Sequence, residues 1–98
     1  MAGHYIVVFD RNAQRDYVPF HNALTKDPAI LNWWHYIKAC YIIKTDLTAN
    51  ALSALVRKYF EENGLDKAHL VLAVDVAKRQ GWLTEDAWKW LREQESEE

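Results

Sequence analysis

Asp10 is the side chain whose position best suits chemistry in this sequence. It directly follows residues 5–9, an uninterrupted apolar run that predicts a strand buried on both faces. A carboxylate at the carboxyl end of a strand could hold Mg²⁺ together with several water molecules. Asp10 could instead cap the following turn or pair with Arg11 or Arg15, so a metal site and a structural role are both open.

Two of the four histidines are the best candidates for acid–base chemistry. These are His21 and His35, because His4 and His69 merely open predicted strands. Neither has a metal-binding spacing to another histidine or to Cys40, and a structural role is the alternative for both. Cys40 is the only cysteine, so an intrachain disulfide is excluded and a packed, unreactive thiol is expected.

Basic and aromatic side chains could form a nucleic-acid-binding surface. Lysine and arginine neutralise phosphates, while an aromatic ring offers a platform on which bases stack. The residues predicted to bind nucleic acid in this way are Arg11, Arg15, Trp34, Lys38 and Lys44. Further candidates are Arg57, Lys58, Lys78 and Arg79 for phosphate and Tyr36 for stacking. Ordinary surface lysines and a core or interface aromatic ring are the alternative, and the chain has no glycine-rich phosphate loop.

The composition indicates a single small domain without a strong charge bias. Of the 98 residues, 12 are basic, 14 are acidic and half are apolar. Four of the acids fall in the last six residues, so the rest of the chain is mildly basic, well short of a dedicated nucleic-acid binder. We expect one domain at residues 1–92 and an acidic, disordered tail at residues 93–98.

No sequence feature predicts export or membrane insertion. The N-terminal residues lack the pattern of a signal peptide, and no apolar run approaches the roughly 18 residues that a spanning helix requires. A single cysteine is compatible with a reducing compartment. We therefore expect a soluble, cytoplasmic protein with no membrane partner.

Local signals in the first half of the chain predict the elements around Asp10. Asp16 can cap a helix that starts near residue 17 and ends before Pro28. Residues 35–45 then alternate as a second β region. This region is long for one strand, so a bend near residues 38–40 could divide it in two.

The second half continues with a helix, a strand and a last helix. Thr48 can cap an amphipathic helix that Asn63-Gly64 ends. Residues 70–76 predict another strand buried on both faces, and Thr84 can cap a C-terminal helix. If residues 35–45 form two strands, the order becomes βαββαβ plus a helix, which predicts an α+β, ferredoxin-like sandwich.

Such a sandwich has one sheet face turned away from its two central helices. The apolar residues expected on that face are Ile6, Val8, Ile42, Val71 and Ala73. A patch of this size needs a cover, and homodimerisation through the open face is the simplest one. The C-terminal helix, with Trp88 and Trp90, is the alternative cover.

Several segments together resemble the SinR-family small proteins. They are residues 4–10, which end in Phe-Asp, and residues 32–36, 41–45, 70–76 and 81–88. The SinR-type proteins are similar to the CRISPR-associated Cas-two family and to the VapD toxins. All of these are small ferredoxin-like proteins, generally dimeric, and several are described as metal-dependent nucleases.

The resemblance implies that Asp10 is the catalytic residue and the Mg²⁺ ligand. In a two-fold homodimer, two copies of Asp10 could share one ion that activates a water for attack on a phosphodiester of RNA or DNA. The implied function is thus a nucleic-acid-directed role, with Mg²⁺-dependent endonuclease activity as its catalytic form. The alternative is a catalytically silent interaction module, such as an antitoxin-like or assembly subunit, that dimerises through the same sheet face.

Overall fold

A computed structural model describes residues 2–95, which contain four strands and three helices. In chain order these are β1 (Gly3–Phe9), α1 (Val18–Lys26), β2 (Ile30–Ile37), β3 (Cys40–Thr45), α2 (Ala49–Glu62), β4 (His69–Ala73) and α3 (Glu85–Glu95). None of the three helices combines the length and the apolar character that a membrane-spanning helix requires.

The four strands form one sheet in the order β2-β3-β1-β4, and all neighbours are antiparallel. β1 is therefore a central strand, as its apolar sequence predicts. Its Val7 lies opposite Tyr41 on β3 and Val71 on β4, which sets the faces of all three strands. The predicted α+β class is confirmed.

α1 and α2 pack on one face of the sheet and bury the larger of two hydrophobic clusters. The rings of Phe20 on α1 and Phe60 on α2 stack with centroids 4.2 Å apart. Both also contact the ring of Phe9, the last residue of β1. Because full burial of a phenylalanine side chain stabilises by about 1.5–3 kcal/mol, the chain is held firmly at the point where Asp10 begins the next loop.

Local sequence accounts for the ends of α2. The Thr48 side chain accepts a hydrogen bond from the amide of Ala51 at 3.1 Å, as the predicted cap requires. Leu52, Val56 and Phe60 form the buried stripe. Gly64 has a φ of +67°, a conformation that a residue with a Cβ rarely adopts, and it ends the helix where the sequence predicts.

α3 covers part of the other sheet face and forms a second cluster there. The buried residues of this cluster are Trp34, Val76, Ala87 and Leu91. The indole of Trp34 donates to the carbonyl of Ala87 at 3.3 Å, and the indole of Trp90 donates to the Asn32 side chain at 3.0 Å. The C-terminal helix thus covers the part of the sheet face around Ile42. The sequence offers this cover as the alternative to homodimerisation.

The expectation that residues 70–76 form a strand buried on both faces is wrong. β4 is an edge strand, and Leu70 and Leu72 are 55% and 49% exposed. Val71 and Ala73 were expected beside Ile6 and Val8, but the register turns them to the opposite face, where Val71 packs against the main core. Residues 70–74 are all apolar and show no alternation, so only the strand's partners decide which residues face outward.

Lys38 and Ala39 form the turn between β2 and β3, so the second β region divides where the sequence predicts. Some boundaries differ from the predictions. β2 begins at Ile30, five residues before the predicted start, and β4 ends at Ala73 rather than at residue 76. α3 continues through Glu95, and its buried Gln94 lies 3.0 Å from the His4 ring nitrogen. The first three residues of the predicted tail are therefore helical, and residues 96–98 lie outside the described part of the chain.

Candidate functional site

A cleft of about 320 Å³ opens where the end of β1, the start of α1 and the β2–β3 hairpin meet. The amide of Phe9 donates to the carbonyl of Ala39 at 3.1 Å, which ties the end of β1 to the hairpin turn. We call this space the basic cleft. Its lining residues are Phe9, Arg11, Arg15, Asp16, Tyr17, Val18, His21, His35, Lys38 and Tyr41.

Two histidines meet on one tyrosine in the basic cleft. The Nδ1 atom of His21 lies 2.7 Å from the hydroxyl of Tyr41. The ring of His35 stacks on the ring of Tyr41, with centroids 3.9 Å apart and planes 4° from parallel. The two imidazoles are themselves 5.3 Å apart between centroids. Tyr41 is buried, so a rigid core residue positions both half-exposed histidines.

Hydrogen bonds determine which nitrogens of these histidines are available. The Nε2 atom of His35 lies 2.8 Å from the carbonyl oxygen of Lys38. A carbonyl only accepts, so Nε2 carries the proton and Nδ1 is the basic nitrogen of the neutral ring. In His21, Nδ1 is engaged with Tyr41, so Nε2 is the nitrogen left for a ligand.

Burial changes the acidity of the two groups that share this hydrogen bond. Removal from water lowers the pKa of His21, and the nearby charge of His35 lowers it further. Burial also raises the pKa of the Tyr41 phenol well above its ordinary value, an effect that Arg11 partly opposes. At neutral pH the phenol is therefore protonated, and it donates to the neutral imidazole of His21.

Three cationic side chains and one carboxylate surround the histidine pair. The guanidinium of Arg11 lies 4.5 Å from the centre of the Tyr17 ring, and the Tyr17 hydroxyl accepts from the amide of Asn12 at 2.9 Å. Arg15 and Lys38 line other parts of the cleft, and both are exposed. The single carboxylate, Asp16, accepts a hydrogen bond from the amide of Val18 at 2.9 Å.

No family model, no curated protein and no solved structure matches this chain.

Asp10 lies beside the basic cleft rather than in it. It is exposed at the end of β1 and lines an adjoining pocket of about 400 Å³, which it shares with Arg11, Arg15 and Asp66. Within residues 2–95, no group of three or more His, Cys, Asp or Glu side chains could hold a metal ion. An ion at Asp10 would therefore draw most of its ligands from water, from a substrate phosphate or from a second protein chain.

The residues predicted to bind nucleic acid fall on two faces of the molecule. Arg11, Arg15 and Lys38 lie together in the basic cleft. Lys44 pairs across the sheet with His4 and lies on the α3 face, away from the cleft. Trp34 is 3% exposed beneath α3, so the prediction that its ring is a stacking platform is wrong.

Tyr41 is a residue of the basic cleft that the sequence does not single out. Its position alternates with Ile43 and Thr45, the other buried residues of β3. A phenol on a buried face needs a hydrogen-bond partner, and such a partner has to come from elsewhere in the fold. The sequence therefore indicates that the Tyr41 hydroxyl needs a hydrogen-bond partner, but it does not identify His21 as that partner.

Cys40 lies on the opposite face of β3, near the cluster beneath α3, and it is half-buried. Burial raises the pKa of its thiol, which keeps the thiol protonated at neutral pH. A protonated thiol is a poor nucleophile, so Cys40 contributes no chemistry to the basic cleft.

Proposed function

We propose that this chain is a small nucleic-acid-directed protein that binds the phosphodiester backbone in the basic cleft. The observation that supports this proposal best is the convergence of Arg11, Arg15 and Lys38 around the histidine pair. Three cations face a single carboxylate there, although the whole chain has a formal charge of −2. Such local enrichment favours a polyanionic ligand.

The proposal includes a ferredoxin-like fold. In the observed sheet, β3 lies between β1 and β2, while β1 lies between β3 and β4. The two strands of the β1-α1-β2 unit therefore lie on either side of β3, and the two strands of the β3-α2-β4 unit lie on either side of β1. This interleaving supports the split βαβ arrangement of ferredoxin-like proteins. Kinship with the SinR-type, Cas-two and VapD proteins stays a prediction from the sequence segments described above.

Binding to labelled oligonucleotides tests the proposal. We expect fluorescence anisotropy to detect binding of single-stranded RNA whose affinity falls with salt. Three phosphate contacts predict a slope of log Kobs against log salt of about −2 for a single strand. Arg11→Ala, Arg15→Ala and Lys38→Ala should each weaken binding and reduce the slope by about 0.7.

Lys44→Ala is the matched control, because Lys44 lies on the other face of the sheet. It should leave both the affinity and the salt slope unchanged. Equal losses in the Lys44 and Lys38 variants would show that binding is diffuse rather than located in the basic cleft. Absence of any salt-dependent binding by the unaltered chain would overturn the proposal.

Mg²⁺-dependent endonuclease activity through Asp10 is the catalytic form of this proposal. It is supported by the exposure of Asp10 at the edge of the basic cleft, where a bound phosphate could supply further ligands to the ion. Purified protein should then cleave double-stranded DNA only with Mg²⁺, and Mg²⁺ should add to any cleavage of RNA. Asp10→Ala should abolish this Mg²⁺-dependent cleavage, and Mg²⁺-dependent cleavage that Asp10→Ala leaves unaffected would exclude the role.

The second candidate is a silent interaction module that forms a homodimer. Val8, Leu70 and Leu72 support it, because these three apolar side chains are exposed on the sheet face that α3 leaves open. Leu70 and Leu72 lie on the edge strand β4, beside Val8 on β1, and this location would let two sheets join side by side or face to face. In this form the protein would bind a partner, as an antitoxin-like or assembly subunit does, without chemistry of its own.

A further inference from the structure

From the geometry of His21, His35 and Tyr41 we infer that the basic cleft cleaves RNA without a metal ion, by acid–base transphosphorylation. This inference rests on the proposed function, since the cleft must first hold a phosphodiester. It assigns a different reaction from the metal-dependent hydrolysis attributed to Asp10, because the nucleophile is the 2′-hydroxyl of the RNA. DNA, which lacks that hydroxyl, is not a substrate.

The two histidines have the arrangement that acid–base chemistry at one phosphate requires. Both rings line the same cleft, 5.3 Å apart between centroids. His35 has Nδ1 free and His21 has Nε2 free, since their other nitrogens are held by the Lys38 carbonyl and the Tyr41 hydroxyl. One imidazole can thus take a proton while the other delivers one to the same phosphodiester.

Tyr41 is a positioning residue for both histidines. Its hydroxyl donates to Nδ1 of a neutral His21 and accepts from Nδ1–H of the imidazolium, so His21 keeps its orientation in both protonation states. The stacked face of the same ring restrains His35. Because Tyr41 is buried, this restraint does not depend on mobile surface side chains.

The reaction balances in protons and bonds. Nδ1 of neutral His35 accepts the proton of the 2′-hydroxyl as the 2′-oxygen forms a bond to phosphorus. The bond from phosphorus to the 5′-oxygen breaks, and this oxygen takes the proton from Nε2 of the His21 imidazolium. The products are a 2′,3′-cyclic phosphate and a 5′-hydroxyl, and the two imidazoles exchange protons with water to return to their starting states.

Electrostatics favour each of these roles once a phosphate is bound. Arg11, Arg15 and Lys38 stabilise the negative charge that grows on the phosphate oxygens in the transition state. In the free cleft, burial and the charge of His35 lower the pKa of His21. A bound phosphate adds negative charge beside His21 and favours its imidazolium form.

The pH dependence follows from the groups that face the two imidazoles. These groups are Arg11, Arg15, Asp16, Tyr17, Lys38 and Tyr41. Histidine is the side-chain type whose ordinary change of charge falls between about pH 5 and 8, and the roles proposed for the two imidazoles require opposite protonation states. The cleavage rate should therefore be highest at an intermediate pH and fall at more acidic and more alkaline pH, because the reaction needs one neutral and one protonated imidazole.

A single-stranded RNA incubated with the full chain in excess EDTA tests the inference. We expect cleavage to fragments that carry a 2′,3′-cyclic phosphate, identified by mass spectrometry. The DNA of the same sequence, and the RNA with 2′-deoxyribose at the cleaved positions, should bind but remain intact. These substrates test the mechanism without any change to the protein.

Protein variants then identify the residues. His35→Gln and His21→Gln should each lower the cleavage rate about 100-fold or more. Tyr41→Phe should lower it less and shift the alkaline limb of the pH profile, which reports loss of the proton from the acid His21, because it alters the partner of His21 Nδ1. His69→Gln is the matched control: His69 is also half-buried and hydrogen-bonded, to Ser53 and to the Lys67 carbonyl, but lies outside the cleft.

The outcomes separate this inference from the proposed function. RNA that binds with the expected salt slope but is not cleaved in EDTA overturns the inference and leaves the binding proposal standing. RNA that does not bind overturns both. RNA cleavage that occurs only with Mg²⁺, or RNA cleavage in EDTA that persists when both histidines are replaced, also overturns the inference.

Discussion

The imidazole of His35 lies flat on the phenol ring of Tyr41, with centroids 3.9 Å apart and planes 4° from parallel. Tyr41 is 1% exposed and belongs to the main core, whereas His35 lines the basic cleft. The cleft is therefore built directly on the core. A variant that removes the Tyr41 ring would disturb the core and the cleft together. Only a variant that keeps the ring and removes one polar group separates the two effects.

Tyr41→Phe keeps the stacked ring and removes only the hydroxyl at His21. We expect the free energy of unfolding to fall by about 0.5–1.5 kcal/mol, the usual contribution of one hydrogen bond. Urea denaturation followed by circular dichroism measures this change. Tyr36→Phe is the control, since Tyr36 is half-exposed, and it should change stability by less than about 0.5 kcal/mol. Equal losses in both variants would contradict a specific role for the His21 hydrogen bond.

Asp27 and Tyr59 join the end of α1 to α2 through a hydrogen bond of 2.5 Å. This bond, together with one from the amide of Ala29, lowers the pKa of Asp27 below its ordinary 3.8. Because the unfolded chain then binds more protons, this stabilisation is present above about pH 4 and is lost as the pH falls through the folded pKa.

The hydrogen bond between Asp27 and Tyr59 also predicts a loss of stability at alkaline pH. The hydrogen bond to Asp27 raises the pKa of Tyr59 from 10.0 to about 12, so its stabilisation is complete below pH 10 and is lost as the pH rises toward 12. Tyr59→Phe should lower the unfolding free energy at pH 7 and make its pH dependence shallower at both ends. Urea titrations at pH 3, 7 and 11 measure this, and a variant with an unchanged pH profile would contradict the coupling.

Leu91 anchors α3 on the sheet, where it is buried beside Trp34. Leu91→Ala should destabilise the protein by about 2–4 kcal/mol, because it leaves a cavity in a small cluster. Trp34, Trp88 and Trp90 belong to this cluster, so tryptophan fluorescence should report the change at lower urea concentrations. Lys89→Ala, an exposed change on the same helix, should leave the midpoint unaltered. An unaltered midpoint in Leu91→Ala would show that α3 does not depend on this contact.

Leu70 and Leu72 decide whether the open edge of the sheet joins two chains. We expect light scattering to give a dimer mass at micromolar concentration, and the double variant Leu70→Lys/Leu72→Lys to give a monomer mass. Leu31→Lys is the control, because Leu31 is equally exposed but lies on β2, at the other edge of the sheet. A monomer mass for the unaltered chain would refute dimerisation and leave the leucine pair as ordinary exposed surface.

Local sequence determined most elements of this protein, because their signals act within a few residues. Thr48 and Gly64 mark the ends of α2, and Thr84 directly precedes α3. Alternation across residues 40–45 predicts which side of β3 is buried. Asp10, Arg11, Arg15 and Lys38 were likewise recognisable as residues able to bind a metal or phosphate.

Tertiary structure decided what sequence periodicity could not. Residues 70–74 are all apolar, so which face of the sheet Val71 and Leu72 take depends on the pairing with β1. Trp34 became a core residue only because α3 covers it. His21 and Tyr41 are 20 residues apart and His35 lies between them, and no local pattern links a helix to two strands of a hairpin. Their convergence follows from packing α1 on the sheet, which is why the basic cleft is visible only in the folded chain.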